Sequence, residues 1–291
     1  MGFVLYYLIL NPLSYLPLCV LYRLSDCMAP VVYHLARYRR KVTRQNLLRA
    51  FPEKSLKEIK RIERRYYRHL CDLVVEAIYG LSATPFEVMK RYRIENHEVL
   101  SRYYEQGRSV VLVSAHYNNW EFMVLGINFL LRHHGVGVGK PLNDRGIGRL
   151  IDRARIRYGD EVVSHLNVRE TMAYYEAHHV PCAYMMLADQ SPSNPRKCFW
   201  CRFLGQETGF IYGPEHFARK YRLPVVFYEV RRERRGRYKV VLHDLCPDPA
   251  TWKEGTITLD YVRRLEEQVR FEPERWLWSH RRWKKKRPAD L

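Results

Sequence analysis

Apolar runs alternate with amphipathic stretches along most of the chain, at the spacing of strands and helices in an α/β protein. The run 110–113 is apolar and mostly β-branched, which predicts a strand buried on both faces. Asn118 and Asn119 follow it and can cap an apolar helix over 122–131. We therefore predict a strand-to-helix corner at 114–121, the position at which open α/β sheets collect ligands and catalytic groups.

The alternation continues after this corner and predicts the remaining architecture. Strands are predicted at 136–139, 161–164, 181–187, 225–230 and 238–243, and helices at 143–158, 168–178, 214–221 and 259–271. This order favours an α/β fold with a mostly parallel or mixed central sheet flanked by helices. The arginine-rich segment 231–237 contains a single glycine and lies between two predicted strands, which predicts an exposed hairpin. Before the corner, Ser55 and Glu58 form a capping box for a helix with a basic outer face.

The N-terminal region is the most apolar part of the sequence. Residues 3–22 carry no charge, and this length suits a bilayer span. Pro12 and Pro17 would kink or break such a helix, so a helix lying in the membrane interface is the alternative. Four basic residues follow and would keep that side cytoplasmic, near anionic headgroups: Arg37, Arg39, Arg40 and Lys41. We predict an N-terminal hydrophobic membrane-anchoring helix within residues 1–36 and one domain over 37–291.

Composition narrows the class of partner without naming it. The 291 residues, 47% of them hydrophobic, can bury a large core, and the 50 basic against 31 acidic residues predict an anionic partner. Nucleic acid, an anionic membrane face, a phosphorylated substrate and an acidic carrier protein all fit that charge. The seven scattered cysteines favour reduced thiols, and the single Cys198/Cys201 pair is a poor zinc signal. The sequence contains no glycine-rich phosphate loop and no recognised nucleic-acid-binding motif.

Three histidines precede an acidic residue by five positions, so that spacing alone selects none of them. The pairs are His116/Glu121, His165/Glu170 and His243/Asp248. Only His116 ends a fully apolar strand, which favours it as the catalytic histidine over a buried structural one. We expect Glu121 to hold one ring nitrogen of His116 and leave the other as a general base. The sequence lacks a Gly-x-Ser-x-Gly elbow, and direct transfer to a hydroxyl without a covalent acyl-enzyme is the simplest reaction that remains.

Several short motifs, taken in order, resemble the late acyltransferases of bacterial lipid A biosynthesis, the lauroyl and myristoyl transferases within the lysophospholipid acyltransferase superfamily. They span nearly the whole chain: Arg44-Gln-Asn-Leu-Leu-Arg-Ala-Phe-Pro52, Ser114-Ala-His-Tyr-Asn-Asn-Trp-Glu121, Lys140-Pro-Leu-Asn143, Arg155-Ile-Arg-Tyr-Gly159, Ala188-Asp-Gln190, Phe203-Leu-Gly205 and Pro273-Glu-Arg-Trp-Leu-Trp-Ser-His-Arg-Arg-Trp-Lys284. The closing motif is similar to the family's P-E-x-x-x-W-x-H-R-R-(W/F)-K.

The resemblance implies a glycerolipid acyltransferase-like fold on the cytoplasmic face of the bacterial inner membrane. It implies transfer of a fatty acyl chain from an acyl carrier protein or coenzyme A thioester to a hydroxyl of a lipid A precursor, with no metal and no redox cofactor. His116 and Glu121 correspond to the catalytic pair of the family's H-x-x-x-x-E box. Four further residues correspond to substrate-binding positions: Lys140, Asn143, Arg155 and Asp189. Acyl carrier protein, an anionic membrane lipid and the lipid acceptor are the implied partners, and nucleic acid is not.

The sequence departs from the family pattern at the positions expected to shape the substrate pockets. After Ala188-Asp-Gln190 the family usually continues with Asp-Pro-Gly, whereas here the segment 191–195 follows. Lys140 stands where arginine is commoner in the family, and the side chains at 210–212 are bulkier than is usual there. A lysophospholipid or an amino-acid-containing lipid is therefore an alternative acceptor. A non-catalytic basic protein that binds membrane or nucleic acid is the alternative from another functional class.

Overall fold

A seven-stranded sheet forms the centre of the computed structural model, which describes residues 2–140 and 145–290. The strands, in chain order, are β1 (Tyr92–Ile94), β2 (Val110–Ser114), β3 (His134–Gly139), β4 (Glu161–Ser164), β5 (Cys182–Leu187), β6 (Phe199–Phe203), β7 (Gln206–Phe210), β8 (Val225–Arg234) and β9 (Arg237–Cys246). The order across the sheet is β1-β9-β8-β2-β5-β3-β4, while β6 and β7 form a separate antiparallel pair. Strands β8, β2, β5, β3 and β4 are parallel, and β9 is antiparallel to β8. The prediction of a mostly parallel central sheet is confirmed.

Helices cover both faces of this sheet. They are α1 (Gly2–Leu5), α2 (Asn11–Ser14), α3 (Leu18–Pro30), α4 (Arg40–Ala50), α5 (Leu56–Gly80), α6 (Pro85–Met89), α7 (Glu98–Glu105), α8 (Glu121–Leu130), α9 (Arg145–Arg155), α10 (Val168–Ala177), α11 (Gly213–Tyr221) and α12 (Thr256–Phe271). The predicted capping box at the start of α5 is present, because Ser55 Oγ accepts from the Glu58 backbone N–H and the Glu58 carboxylate accepts in return.

Strand β2 shows how one apolar run supplies two cores. Val111 and Val113 belong to the core on one face of the sheet, with side chains of α4, α11 and α12. Val110 and Leu112 belong to the core on the other face, with side chains of α3, α7 and α8. Because successive side chains point to opposite faces, a strand covered on both sides must be apolar at every position.

The N-terminal apolar stretch folds as several short segments. A π-helical turn (Tyr6–Leu10) joins α1 to α2, and extended backbone at Pro17 separates α2 from α3. In the described part of the chain, no helix has both the length and the apolarity needed to cross a bilayer. The segment is therefore not one continuous helix, and its chain breaks at Pro17, one of the two prolines at which a kink or break was expected. Leu18 and Leu21 of α3 pack into the core. The predicted boundary at residue 36, between an N-terminal anchor and one domain over 37–291, stays a prediction.

The predicted arginine-rich hairpin connects β8 to β9. Gly236 has φ +70°, and a Cβ there would collide with the Tyr22 hydroxyl. Arg235, beside it, donates from Nε to Asp72 of α5 at 3.0 Å and from Nη2 to Asp26 of α3 at 2.8 Å. The hairpin tip is therefore held against the two helices, because buried Asp72 attracts the guanidinium.

Candidate active site

His116 lies where the chain leaves β2, two residues beyond the end of the strand. Asn118 then adopts a left-handed conformation (φ +52°), which asparagine tolerates, and its Nδ2 donates to the Val230 carbonyl at 2.8 Å. Asn119 Oδ1 accepts the backbone N–H of Phe122 at 2.9 Å and so caps the start of α8. The predicted strand-to-helix corner is confirmed, with Asn119 as its cap.

The carboxylate that contacts His116 is that of Asp189. Oδ1 of Asp189 lies 2.7 Å from Nδ1 of His116, and Oδ2 accepts the indole N–H of Trp276 at 2.8 Å. The sheet register brings them together: Ser114 of β2 pairs with Leu187 of β5. His116 and Asp189 each lie two residues beyond those partners, at the same carboxyl edge of parallel strands.

Asp189 is set up to remain a carboxylate. It is 2% exposed, and burial alone would raise its pKa. The charge of His116 and the hydrogen bonds from His116 and Trp276 outweigh burial and lower the pKa of Asp189 below its ordinary value. Because a carboxylate only accepts, Nδ1 carries the proton in the neutral form of His116, and Nε2 is then an acceptor. Nε2 receives the side-chain amide of Gln190 at 3.1 Å.

Glu121 does not hold a ring nitrogen of His116, so that prediction is wrong. Its carboxylate forms a two-oxygen ion pair with Arg155, with Nη2 at 2.9 Å from Oε1 and 2.8 Å from Oε2. Oε1 also accepts the indole N–H of Trp120 at 3.0 Å. The Trp120 ring meets the His116 ring edge to face, with 4.9 Å between centroids. Among the described residues, Trp120 therefore links Glu121 to His116.

The other predicted site residues divide into three cases. Arg155 is held by Glu121 and by Asp152, which accepts from Nη1 at 3.3 Å. Burial lowers the pKa of Arg155, but the two carboxylates raise it overall. Lys140 is exposed at the end of β3, next to β5 in the sheet. Asn143 lies outside the described residues.

The closing motif forms one wall of the site, a role that sequence reasoning did not assign. The backbone N–H of Leu277 donates to the His116 carbonyl at 3.1 Å, and that of Asn118 donates to the Arg275 carbonyl at 3.1 Å. His280 Nε2 accepts the backbone N–H of Ser191 at 3.0 Å. Burial lowers the pKa of His280 to about 4, so the ring is neutral near pH 7 and accepts that proton. The high density of Trp, His and Arg residues in this motif was the sequence feature that could have indicated its place in the site.

Arg282, from the same motif, is buried close to Asp189. It is 2% exposed, donates from Nη2 to the Gly209 carbonyl at 2.8 Å and stacks 4.4 Å from the centre of the Phe210 ring. Burial lowers the pKa of Arg282 to about 10, and the charge of Asp189 offsets part of that effect. A cation therefore stays in the wall of the site near neutral pH.

A buried carboxylate links the corner to the N-terminal helices. Glu76 of α5 is fully buried and accepts from Asn119 Nδ2 at 2.7 Å, Tyr238 Oη at 2.8 Å and Tyr22 Oη at 2.6 Å. Burial raises the pKa of Glu76, and the three hydrogen bonds offset only part of that rise. Tyr22 belongs to α3, so the residue that caps α8 shares a carboxylate with the N-terminal segment.

The described cysteines and possible metal ligands add no further site. All seven cysteines are free thiols, and Cys71, Cys182 and Cys246 are buried. Within residues 2–140 and 145–290, no group of three or more His, Cys, Asp or Glu side chains is arranged to hold a metal ion.

A histidine base oriented by a buried carboxylate, at the carboxyl edge of a mostly parallel sheet, is an arrangement suited to moving a group onto a hydroxyl. Residues 1–285 match the family described as bacterial lipid A biosynthesis acyltransferase, so the chain belongs to that family and is an acyltransferase. A comparison with individual curated proteins finds no match.

Proposed function

We propose that the protein transfers a fatty acyl chain from an acyl thioester to a hydroxyl of a lipid A precursor, with His116 as general base. The observation that carries this proposal is the 2.7 Å contact between His116 Nδ1 and Asp189 Oδ1, which leaves Nε2 as an acceptor. Family membership supports acyl transfer in lipid A biosynthesis and favours an enzyme over a non-catalytic basic binding protein.

The reaction needs one proton to move twice. The lipid hydroxyl displaces Gln190 from Nε2 of His116 and gives up its proton as its oxygen attacks the thioester carbonyl. Collapse of the tetrahedral intermediate breaks the carbon–sulfur bond, and Nε2 returns the proton to the departing thiolate. The products are the lipid ester and a free thiol, without a covalent acyl-enzyme. The negative charge of Asp189 stabilises the imidazolium that forms between the two proton transfers.

Glu121 and Arg155 act in this scheme as positioning residues. The carboxylate fixes the indole of Trp120, whose ring contacts His116, and the guanidinium holds the carboxylate. Lys140 and Asn143, which follow the end of β3 by one and four positions in the sequence, are proposed to contact the substrate. The acidic acyl carrier protein is the proposed donor because the chain carries 19 excess positive charges, with coenzyme A thioesters as the alternative.

We propose that the protein works on the cytoplasmic face of the bacterial inner membrane through an interfacial N-terminal segment. Large apolar side chains there face outward, among them Leu8 (72% exposed), Tyr15 (72%) and Leu35 (77%). Such side chains gain by entering the headgroup boundary, and the basic residues at 37–41 add attraction to anionic lipids.

The enzymatic test compares two histidine variants. Detergent-purified protein is supplied with acyl carrier protein or coenzyme A thioester and either a lipid A precursor or a lysophospholipid, and labelled acyl transfer is measured. His116→Ala should abolish transfer, whereas His165→Ala, which removes an exposed histidine with the same spacing to an acid, should not. Equal activity of His116→Ala and wild type would contradict the mechanism. Transfer to the lysophospholipid alone would support the alternative acceptor.

The membrane test uses exposed apolar positions. Leu8→Glu combined with Leu35→Glu should release the protein from inner-membrane vesicles in a flotation assay. Phe271→Glu, at an 84% exposed position on α12, should not. Retention of the double variant would contradict the interfacial segment.

A further inference from the structure

A pocket of about 380 Å³ lies beside the active-site corner, between α3, α5, the β8–β9 hairpin and the turn at Pro273–Arg275. We call it the arginine pocket. Five arginines and one histidine contribute to its lining: Arg65, Arg68, His69, Arg232, Arg235 and Arg275.

The lining carries an excess of positive charge. Its carboxylates are Asp26, Asp72 and Glu274, so five guanidinium groups face three acids. Glu272 lies outside the lining, 3.6 Å from Arg275 Nε, and offsets part of the excess. Two positive charges within the lining and one acid at its border leave the pocket favourable to an anion.

Internal ion pairs explain only part of this cluster. Asp72 accepts from Arg235 Nε at 3.0 Å and lies 3.4 Å from Arg232 Nη2, while Arg65 lies 3.5 Å from Glu274. Those contacts hold the hairpin and the turn against α5. They do not explain why Arg68 also lines the pocket, or why Arg275, paired with Glu272 outside the lining, faces the same space.

A buried donor in the pocket wall, on His69, lacks an acceptor among the described residues. His69 is 1% exposed, and its Nδ1 lies 3.5 Å from Arg275 Nη1. Because a guanidinium only donates, Nδ1 of His69 accepts and Nε2 carries the proton. Burial, with the charge of Arg275, lowers the pKa of His69 well below its ordinary value and keeps the ring neutral. Nε2 of His69 has no hydrogen-bond partner in the described structure, whereas Nε of Arg275 lies 3.6 Å from the carboxylate of Glu272 in an ion pair.

A buried donor without an acceptor is rare because it is costly, and His69 Nε2 in a basic pocket points to an oxyanion as the missing partner. A phosphate group offers several acceptor oxygens and matches guanidinium geometry. The surroundings favour a lipid as its carrier. Val20 and Leu24 of α3, the helix that forms one wall, are 44% and 38% exposed. The opposite wall reaches the corner, since the Arg275 carbonyl accepts the Asn118 backbone N–H.

We propose that the arginine pocket binds the phosphate monoester of the lipid acceptor while the acceptor hydroxyl lies at His116. This proposal rests on the proposed function and names a feature of its substrate: an anionic phosphate at a fixed distance from the acylated hydroxyl. Arg68, Arg275 and His69 are the residues assigned to the phosphate.

The kinetic test compares two acceptors that differ only in the phosphate. Acyl transfer is measured in neutral detergent with a phosphorylated glycolipid and with its dephosphorylated form. Arg68→Gln and Arg275→Gln should each raise KM for the phosphorylated acceptor roughly tenfold to hundredfold and leave the dephosphorylated one unaffected. Arg64→Gln is the matched control, because it removes an exposed arginine one turn earlier on α5. Equal kcat/KM of wild type for the two acceptors would overturn the proposal while leaving acyl transfer intact.

A binding test keeps the proposal separate from catalysis. Flotation is measured with phosphatidylcholine vesicles that contain either phosphatidic acid, a phosphomonoester, or phosphatidylglycerol at matched surface charge. Wild type and Arg64→Gln should prefer phosphatidic acid, and Arg68→Gln/Arg275→Gln should lose that preference. No preference in wild type would overturn the assignment. Thermal stabilisation by inorganic phosphate without any vesicle preference would assign the pocket to free phosphate and overturn the lipid source.

Discussion

The Nδ1 atom of His116 lies 2.7 Å from Oδ1 of Asp189, and the other oxygen of that carboxylate accepts the indole N–H of Trp276. Asp189→Asn keeps the shape of the side chain and removes the charge opposite the imidazolium. We expect kcat for acyl transfer to fall roughly 10²–10⁴-fold. The acid limb of the pH profile of kcat/KM should also move to lower pH, because the protonated imidazole loses its counter-charge. A fall in kcat with an unmoved profile would contradict this role.

The ion pair between Glu121 and Arg155 predicts non-additive variants. If Glu121 acts through Trp120 and Arg155, Glu121→Gln and Arg155→Gln should each lower kcat roughly tenfold to hundredfold, and the double variant should be no worse than either. The pH profile should not move in any of the three. Loss of activity in Glu121→Gln beside near-normal Arg155→Gln would show instead that Glu121 acts on His116 or on the substrate.

The lowered pKa of His280 leads us to expect that the folded protein loses stability in mild acid. Its pKa in the folded protein is about 4 against an ordinary 6.5, so between these values the unfolded chain binds more protons. The free energy of unfolding should therefore fall as pH falls from 6.5 toward 4. His280→Gln keeps an acceptor for the Ser191 N–H and should flatten this dependence by on the order of 1 kcal/mol, measured by urea unfolding at pH 7 and pH 5. The exposed His165→Gln should leave the slope unchanged, and equal slopes in all three proteins would refute the assignment.

The burial of Asp160 leads us to expect that its replacement by asparagine stabilises the protein. Burial raises its pKa to about 7, and although Oδ1 accepts the Asn128 backbone N–H at 3.0 Å, Oδ2 has no partner in the described structure. Since the folded state holds a proton that the unfolded state has lost, stability should fall as pH rises from 3.8 to about 7. Asp160→Asn keeps the Oδ1 acceptor and should add on the order of 1 kcal/mol at pH 8 and nearly nothing at pH 4. The thermal midpoint at each pH measures this, with exposed Asp248→Asn as control.

Local pattern was enough to predict the elements that the sheet buries, but it could not predict distant pairing. Strand β2 and the corner after it follow from an unbroken apolar run, whereas β1 has only three residues and no period to detect. The partner of His116 depends on the register between β2 and β5, across 73 residues of sequence. The end of a fully apolar strand therefore indicated His116, whereas the spacing of five residues indicated a carboxylate that does not hold its ring. Resemblance did include Asp189 among the site residues, without indicating its contact.

In the N-terminal segment, too, local sequence pattern did not predict a packing that depends on distant residues. Its uncharged length predicts a span, but the extended backbone at Pro17 and the burial of Leu18 and Leu21 produce a packed helix instead. Prolines were visible in the sequence, whereas the packing of α3 against α5 exists only after folding.

The hydrogen bond from Tyr22 to Glu76 bears on how this protein should be handled. Deleting α1–α3 to obtain a more tractable sample would remove the Tyr22 hydroxyl, which donates to Oε1 of Glu76. It would leave a buried carboxyl group with one oxygen unpaired, while the other oxygen still accepts from Asn119. The shortened protein would lose a support of the strand-to-helix corner together with its exposed apolar surface. Exchanging the outward Val20 and Leu24 for polar side chains improves solubility by a route that leaves the phenol where it is.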